Sequence, residues 1–253
     1  MRSLKKYALK RLYRLKHLLR SVKFTDDVEV LHAIRVEIKK IKAILRLIEF
    51  SKKNFNAHHN FIPLRNIFRK AGVIREPLVF HQLLNRYTVE STIDELLLFP
   101  SLKPISGFRK NTTEYLKSVK KIKKVILLKI KNIGRQVVRN YLNKLKKKIE
   151  KRLYPIPDPS TLHTTRKVLK EFLYLSAIFE RKRNSISPFF EECSERIGQW
   201  HDKQHIIQLL RERGLPVKEL IQKLESECLQ DLAHLHHQIE NYYVIETTIA
   251  MKG

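Results

Sequence analysis

Five side chains that can carry positive charge, His32, Arg35, Lys39, Lys42 and Arg46, recur at alternating steps of three and four residues in LHAIRVEIKKIKAILRLIEF, residues 31–50. That spacing lines them along one face of an α-helix, with successive groups roughly 5 Å apart. Arg offers a fork of N–H donors, Lys a point charge and protonated His two ring donors, so the ladder suits the repeated oxygens of a linear polyanion. One position earlier, Leu31, Ile34, Ile38, Ile41, Leu45 and Ile48 keep the same rhythm. This apolar stripe lies about 100° round the axis, free to be buried while its neighbour lines a surface. Other roles remain open for single residues: His32 as a helix histidine bonded to a carbonyl, Arg35 as a bridge to an acid such as Glu37, Lys40 as a solvated side chain beside the stripe.

The elements that must hold this face are helical. The 253 residues are 43% hydrophobic with six Gly and nine Pro, and long Leu/Ile/Lys stretches keep helical spacing without sustained alternation. These features predict an all-α fold with an ample core. Leu4, Ala8, Leu12, Leu15, Leu19 and Val22 predict a first helix, and Thr25, Asp26 and Asp27 form a break with N-cap chemistry. Phe61 to Ala71 predicts a short helix pausing at Gly72, with Pro77 opening another that reaches Tyr87. Residues 88–106, including the acidic, apolar stretch Asp94 to Phe99, read as a loop with a short helix. The Lys-rich stretch Phe108 to Leu153 reads as two helices separated at Gly134. YPIPDPS, 154–160, is the clearest punctuation, with a helix expected from Thr161, another from Ser187-Pro188, and a last one from about 217 to 249 after Gly214 and Pro216.

The net charge of +27 attracts phosphate polymers, nucleic acids, anionic membranes and acidic proteins alike. It is unevenly spread: residues 1–154 hold 39 Lys/Arg against 11 Asp/Glu, and residues 155–253 hold 13 against 14. Cys193 and Cys228 form no CxxC pair and read as buried free thiols in a reducing compartment. The N-terminus is broken by cations throughout, and no stretch approaches the roughly 20 apolar residues of a membrane span. The expectation is a soluble, intracellular chain. His201 and His205, and His234 and His237, have helical metal-pair spacing, but Asp202 stands where an HExxH site needs Glu and no third ligand is evident. No phosphate-gripping P-loop, Rossmann turn or nucleophile elbow is present, so neither enzyme activity nor a cofactor or metal is expected. Nucleic-acid binding stays open as an alternative, since this charge binds DNA or RNA nonspecifically in low salt, although no zinc finger, helix-turn-helix or stacking platform is found. So does a scaffold with merely solvated charged faces.

The ladder is echoed later. Leu31, His32, Arg35, Ile38 and Lys39 match Leu162, His163, Arg166, Leu169 and Lys170 at a constant offset of 131 residues, and Gly72-Val73-Ile74-Arg75-Glu76 matches Gly198-Gln199-Trp200-His201-Asp202 further on. Two matched blocks in the same order imply a duplicated helical unit. LHAIRVEIKKIK resembles the first signature of the CHAD family, the conserved histidine α-helical domain. LHTTRKVLKEFLY resembles the second, with His163, Arg166, Lys167, Lys170 and Tyr174 in place. The likeness covers nearly the whole chain and implies one compact domain, 1–253, of two pseudo-symmetric four-helix bundles with a basic cavity. Its first repeat with basic connecting helices would be 1–154, its second 155–253. It further implies non-catalytic binding of inorganic polyphosphate by His32, Arg35, Lys39, Lys40, Lys42, Arg46, Arg75, His163, Arg166, Lys167 and Lys170, in the cytoplasm or at polyphosphate granules. Arg75 reads equally as an anchor for its helix, Lys167 as a solvated side chain, and Arg166 as a bridge to an acid such as Asp202. Leu173, Glu76 and Leu78 depart from the pattern, and with the neutral second half they predict a grip that comes mainly from the first repeat. If the histidines are ligands, binding tightens as pH falls toward and below about 6.5.

Overall fold

The structure, a computed structural model, describes residues 2–25, 27–84, 105–154, 157–179, 188–212 and 217–250. Among these it is wholly helical, as the periodicity predicts: α1 (Arg2–Ser21), α2 (Glu29–Ser51), α3 (Ala57–Leu84), α4 (Ser106–Lys110), α5 (Thr112–Lys129), a 3-10 turn (Ile130–Asn132), α6 (Arg135–Leu153), α7 (Pro159–Ser176), α8 (Pro188–Glu212) and α9 (Lys218–Ala250). None of these helices is long and apolar enough to cross a membrane. The chain divides into two compact units, Met1–Leu142 with Ala177–Phe179, and Asn143–Ser176 with Glu180–Gly253, so the division falls inside α6.

In the first unit α1, α2, α3 and α5 close a ring around the core, each packed on the next, with α4 against α5. The apolar stripe predicted for α1 is buried throughout, and so is that of α2. On α2 burial extends further, to Ile44 and Leu47, because α1, α3 and α5 all pack against it. The charged side chains of this helix other than Glu37 are thereby confined to its edges. Asp27 caps α2 by accepting the Glu29 N–H at 2.8 Å, while its own N–H donates to the Thr25 hydroxyl at 3.0 Å. Asp26 lies outside the described residues.

One 28-residue helix, α3, replaces the two predicted on either side of Gly72. Its buried face, Leu64, Ile67, Ala71 and Ile74, continues across the glycine. Pro77 removes a single intrahelical donor, and packing of a continuous apolar face outweighs that loss. Asn56 starts the helix by accepting the His59 N–H at 2.7 Å. Tyr87 and the stretch Asp94 to Phe99 lie outside the described residues.

A buried ion cluster ties α1 to α2. Glu37 is 2% exposed and accepts from Arg11 Nη1 at 3.2 Å and from Lys40 Nζ at 2.9 Å, with Arg14 Nε at 3.7 Å. On the opposite flank Arg109 fixes α4, donating to the Val22 carbonyl at 2.8 Å and to the Thr25 carbonyl at 2.6 Å.

In the second unit α8 packs on both α7 and α9. The helix expected from Thr161 starts at Pro159, whose missing N–H costs nothing at a first helical position, and Asp158 caps it by accepting the Ser160 N–H at 2.7 Å. Phe189 and Tyr242 join α8 to α9 as rings stacked at 3.8 Å. Cys193 and Cys228 are free and buried as expected, and burial pushes the Cys193 thiol up to about 12. Ser187, Gly214 and Pro216 lie outside the described residues.

Candidate functional site

The ladder lies along the seam between α2 and α3. Lys42 Nζ is 5.0 Å from the centre of the Phe61 ring, Lys39 Nζ is 5.7 Å from that of Phe68, and the Arg35 guanidinium lies 4.2 Å over Phe68. Arg35 Nη1 also donates to the Phe68 carbonyl at 3.3 Å. Partners climb α3 as the ladder descends α2, so the two helices run antiparallel. Aromatic faces support the cationic heads, while Lys39, Lys42 and Arg46 stay exposed. Lys40 departs from the ladder and serves the Glu37 cluster on the other side of α2.

At the far end of the seam Arg75 stands close enough to His32 for its charge to act on the ring. Burial first, then the Arg75 charge, hold the His32 imidazolium below its ordinary range, with Lys39 and Arg35 adding to the effect and Glu29 opposing it. Arg75 Nε is buried and has no hydrogen-bond partner among the described residues. A polyanion here would offset the cations and draw a proton onto His32. Its affinity is therefore expected to rise as pH falls below 6.5 and to change little above 7, with proton uptake measurable as a buffer-dependent binding enthalpy. A flat profile matched by a silent His32→Ala variant removes the histidine from the site. In the absence of ligand the sign reverses. The unfolded chain takes the proton more readily, so the stability contributed by neutral His32 is present above 6.5 and is lost as pH falls below it.

The second unit repeats this framework with different charges. On α7, Arg166 Nε donates to the Ser194 carbonyl of α8 at 3.2 Å, and the His163 ring stacks on His201 at 4.4 Å. Gly198 lets the Arg166 guanidinium lie against α8, since a Cβ there would come within 2.8 Å of Nη2 and displace it. Lys170 lines a cavity of about 580 Å³ together with Arg166, Tyr174, Glu191, Glu195 and Asp202. Burial lowers the Lys170 pKa, with Arg166 adding and Glu195 and Glu191 opposing. Lys167 is exposed beside it. His163, His201 and His205 share a second cavity of about 420 Å³. Among the described residues no group of three or more His, Cys, Asp or Glu is arranged to hold a metal ion.

No family model, curated protein or solved structure matches this chain. The correspondence between its own halves is therefore the comparison that carries information. In each unit the Arg three residues after the His donates to the carbonyl four residues before a Gly on the following helix, Phe68 before Gly72 and Ser194 before Gly198. The residue three after that Gly is near the His in each: His201 stacks on His163, and the Arg75 charge acts on His32.

This register brings to the site four residues that the reading of the sequence did not place there. At the offset of 126 residues that relates Gly72 to Gly198, Arg65 corresponds to Glu191 and Arg69 to Glu195. The flank of the seam is thus cationic in the first unit and anionic in the second. The signal was legible in the repeat once the second block was extended backwards along its helix.

Proposed function

We propose that this chain binds inorganic polyphosphate without catalysis, along the ladder of α2 and the adjoining cations of α3, and that it is a CHAD-type protein of two pseudo-symmetric four-helix units. The observation that carries the reading is the matched placement of the two signature helices, each locking its Arg onto a carbonyl of the next helix and bringing its His near the residue three after the Gly. Polyphosphate has charge and acceptor oxygens in series and no bases. It calls for Arg forks and Lys charges at regular intervals on a rigid element, which the seam supplies, and for no groove-reading device. The buried, unsatisfied Arg75 Nε is a donor awaiting an acceptor at the end of that series. Grip comes mainly from the first unit, because Glu191, Glu195 and Asp202 offset Arg166 and Lys170 in the second. The cytoplasm and polyphosphate-rich granules are the corresponding locations.

The test compares long-chain polyphosphate with double-stranded DNA at equal phosphate concentration and near-physiological salt, for the wild type and a His32/Arg35/Lys39→Ala variant. Salt is held constant because counterion release otherwise dominates the comparison. The expected result is a strong preference for polyphosphate that collapses in the variant while its circular dichroism is retained. Equal binding of both polymers, unchanged in the variant, would leave only a diffuse cation and favour nucleic-acid or scaffold roles.

A further inference from the structure

A cavity of about 830 Å³ lies between α3 and α4, on a different face of α3 from the seam. With about 100° per residue, Arg65 and Arg69 stand roughly 40° and 80° round from Phe61, and Ile62 and Val73 lie further still. Arg65, Arg69, Lys70 and Lys110 all line this cavity, and no carboxylate is found among the described residues that do so. Its floor is apolar: Ile62 and Val73, 49% and 46% exposed, stand open beside the buried Phe108. The walls are held in place. Phe108 packs on Tyr115 with ring centres 4.8 Å apart, Lys70 Nζ sits 5.8 Å from the centre of the same Tyr115 ring, and Arg109 anchors α4 to the α1–α2 connection.

We infer that this groove is a second binding site, for an organic phosphate that carries an apolar or aromatic body. The volume is that of a small-molecule pocket, and an apolar floor with a few convergent polar groups is the usual construction of one. The four cations supply the phosphate subsite, and the floor supplies a surface on which a body loses water. A bare polyphosphate chain has nothing to lay on that floor, so this site is chemically distinct from the ladder of α2, although Arg65 and Arg69 border both. Nucleotides and alkyl phosphates share the required chemistry.

The experiment titrates the full-length chain, at near-physiological salt, with N-methylanthraniloyl-ADP by fluorescence and with decyl phosphate by calorimetry below its micelle threshold. Inorganic pyrophosphate serves as the control without a body. The site predicts that at least one organic phosphate binds ten times or more tighter than pyrophosphate, and whichever binds identifies the body as aromatic or alkyl. A Cβ on Gly107 meets nothing within 4 Å and Gly107 lines the groove, so Gly107→Trp adds bulk there from open space. It should abolish this binding, while long-chain polyphosphate still binds through the untouched ladder of α2. Lys70→Glu with Lys110→Glu, both exposed, should weaken organic phosphate binding at least tenfold, which keeps the inference testable if the Trp variant misfolds. Equal binding of pyrophosphate, wild-type affinity in a folded Gly107→Trp protein, or no binding of either organic phosphate overturns it. Binding that appears only after Asp94→Asn and Glu95→Gln also overturns it, in favour of an occupant within the chain.

Discussion

Glu37→Ala is expected to destabilise the protein by about 3–5 kcal/mol, the largest single-residue effect anticipated here. The carboxylate is 2% exposed, and the Arg11 side chain that faces it is 10% exposed. Truncating the acid leaves the Arg11 charge out of water without a counterion, and Lys40 loses the same partner at 2.9 Å. A shift of the urea midpoint with an unchanged slope would report this directly. An Arg11→Met/Glu37→Leu pair should recover part of the loss, because it removes the orphaned Arg11 charge, while Lys40, 20% exposed, can turn toward water. An unmoved midpoint in Glu37→Ala would mean that the cluster stays solvated and contributes nothing. The same geometry separates Lys40 from the ladder: Lys40→Ala should lower stability while leaving polyanion affinity near that of the wild type.

The second large effect concerns the two units' opposite flanks. In a background silenced by Lys39→Ala, Lys42→Ala and Arg46→Ala, polyphosphate affinity is expected to drop about a hundredfold or more at near-physiological salt, since three charge contacts to the polymer disappear. Adding Glu191→Arg and Glu195→Arg gives the second unit the arginines that the first has as Arg65 and Arg69, and should recover about tenfold. Both glutamates are exposed, so the exchange has a small folding cost. The dependence of log affinity on log salt should steepen with the added contacts. If the exchange gives no gain, the second unit is not a usable counterpart of the first.

Much of this architecture is written in local patterns. A period of 3.6 residues survives in the sequence wherever one side of a helix is buried, so the helical class, the core of α1, the stripe of α2 and the break at Gly134 could be read directly. The cap before α2 was legible for a similar reason: Asp27 acts on an N–H two residues away, a distance that the chain itself determines, whereas Asp158 makes the same contact without having been singled out. The break at Gly72 was misread because glycine and proline report local cost alone, while α3 runs through on the burial of Leu64, Ile67, Ala71 and Ile74 against other helices.

The sequence by itself determined the helical class, the ladder's spacing, the repeat and the uneven charge, since each depends on residue types at fixed separations along one chain. Partnership across helices was decided only by the tertiary structure. Lys39 and Lys40 are neighbours of identical chemistry, and nothing local says that one lies over Phe68 while the other serves a buried Glu37. The same holds for Arg75 beside His32 and for the groove between α3 and α4. Burial and charge pairing are properties of space, and residues far apart in sequence acquire them only when the helices pack.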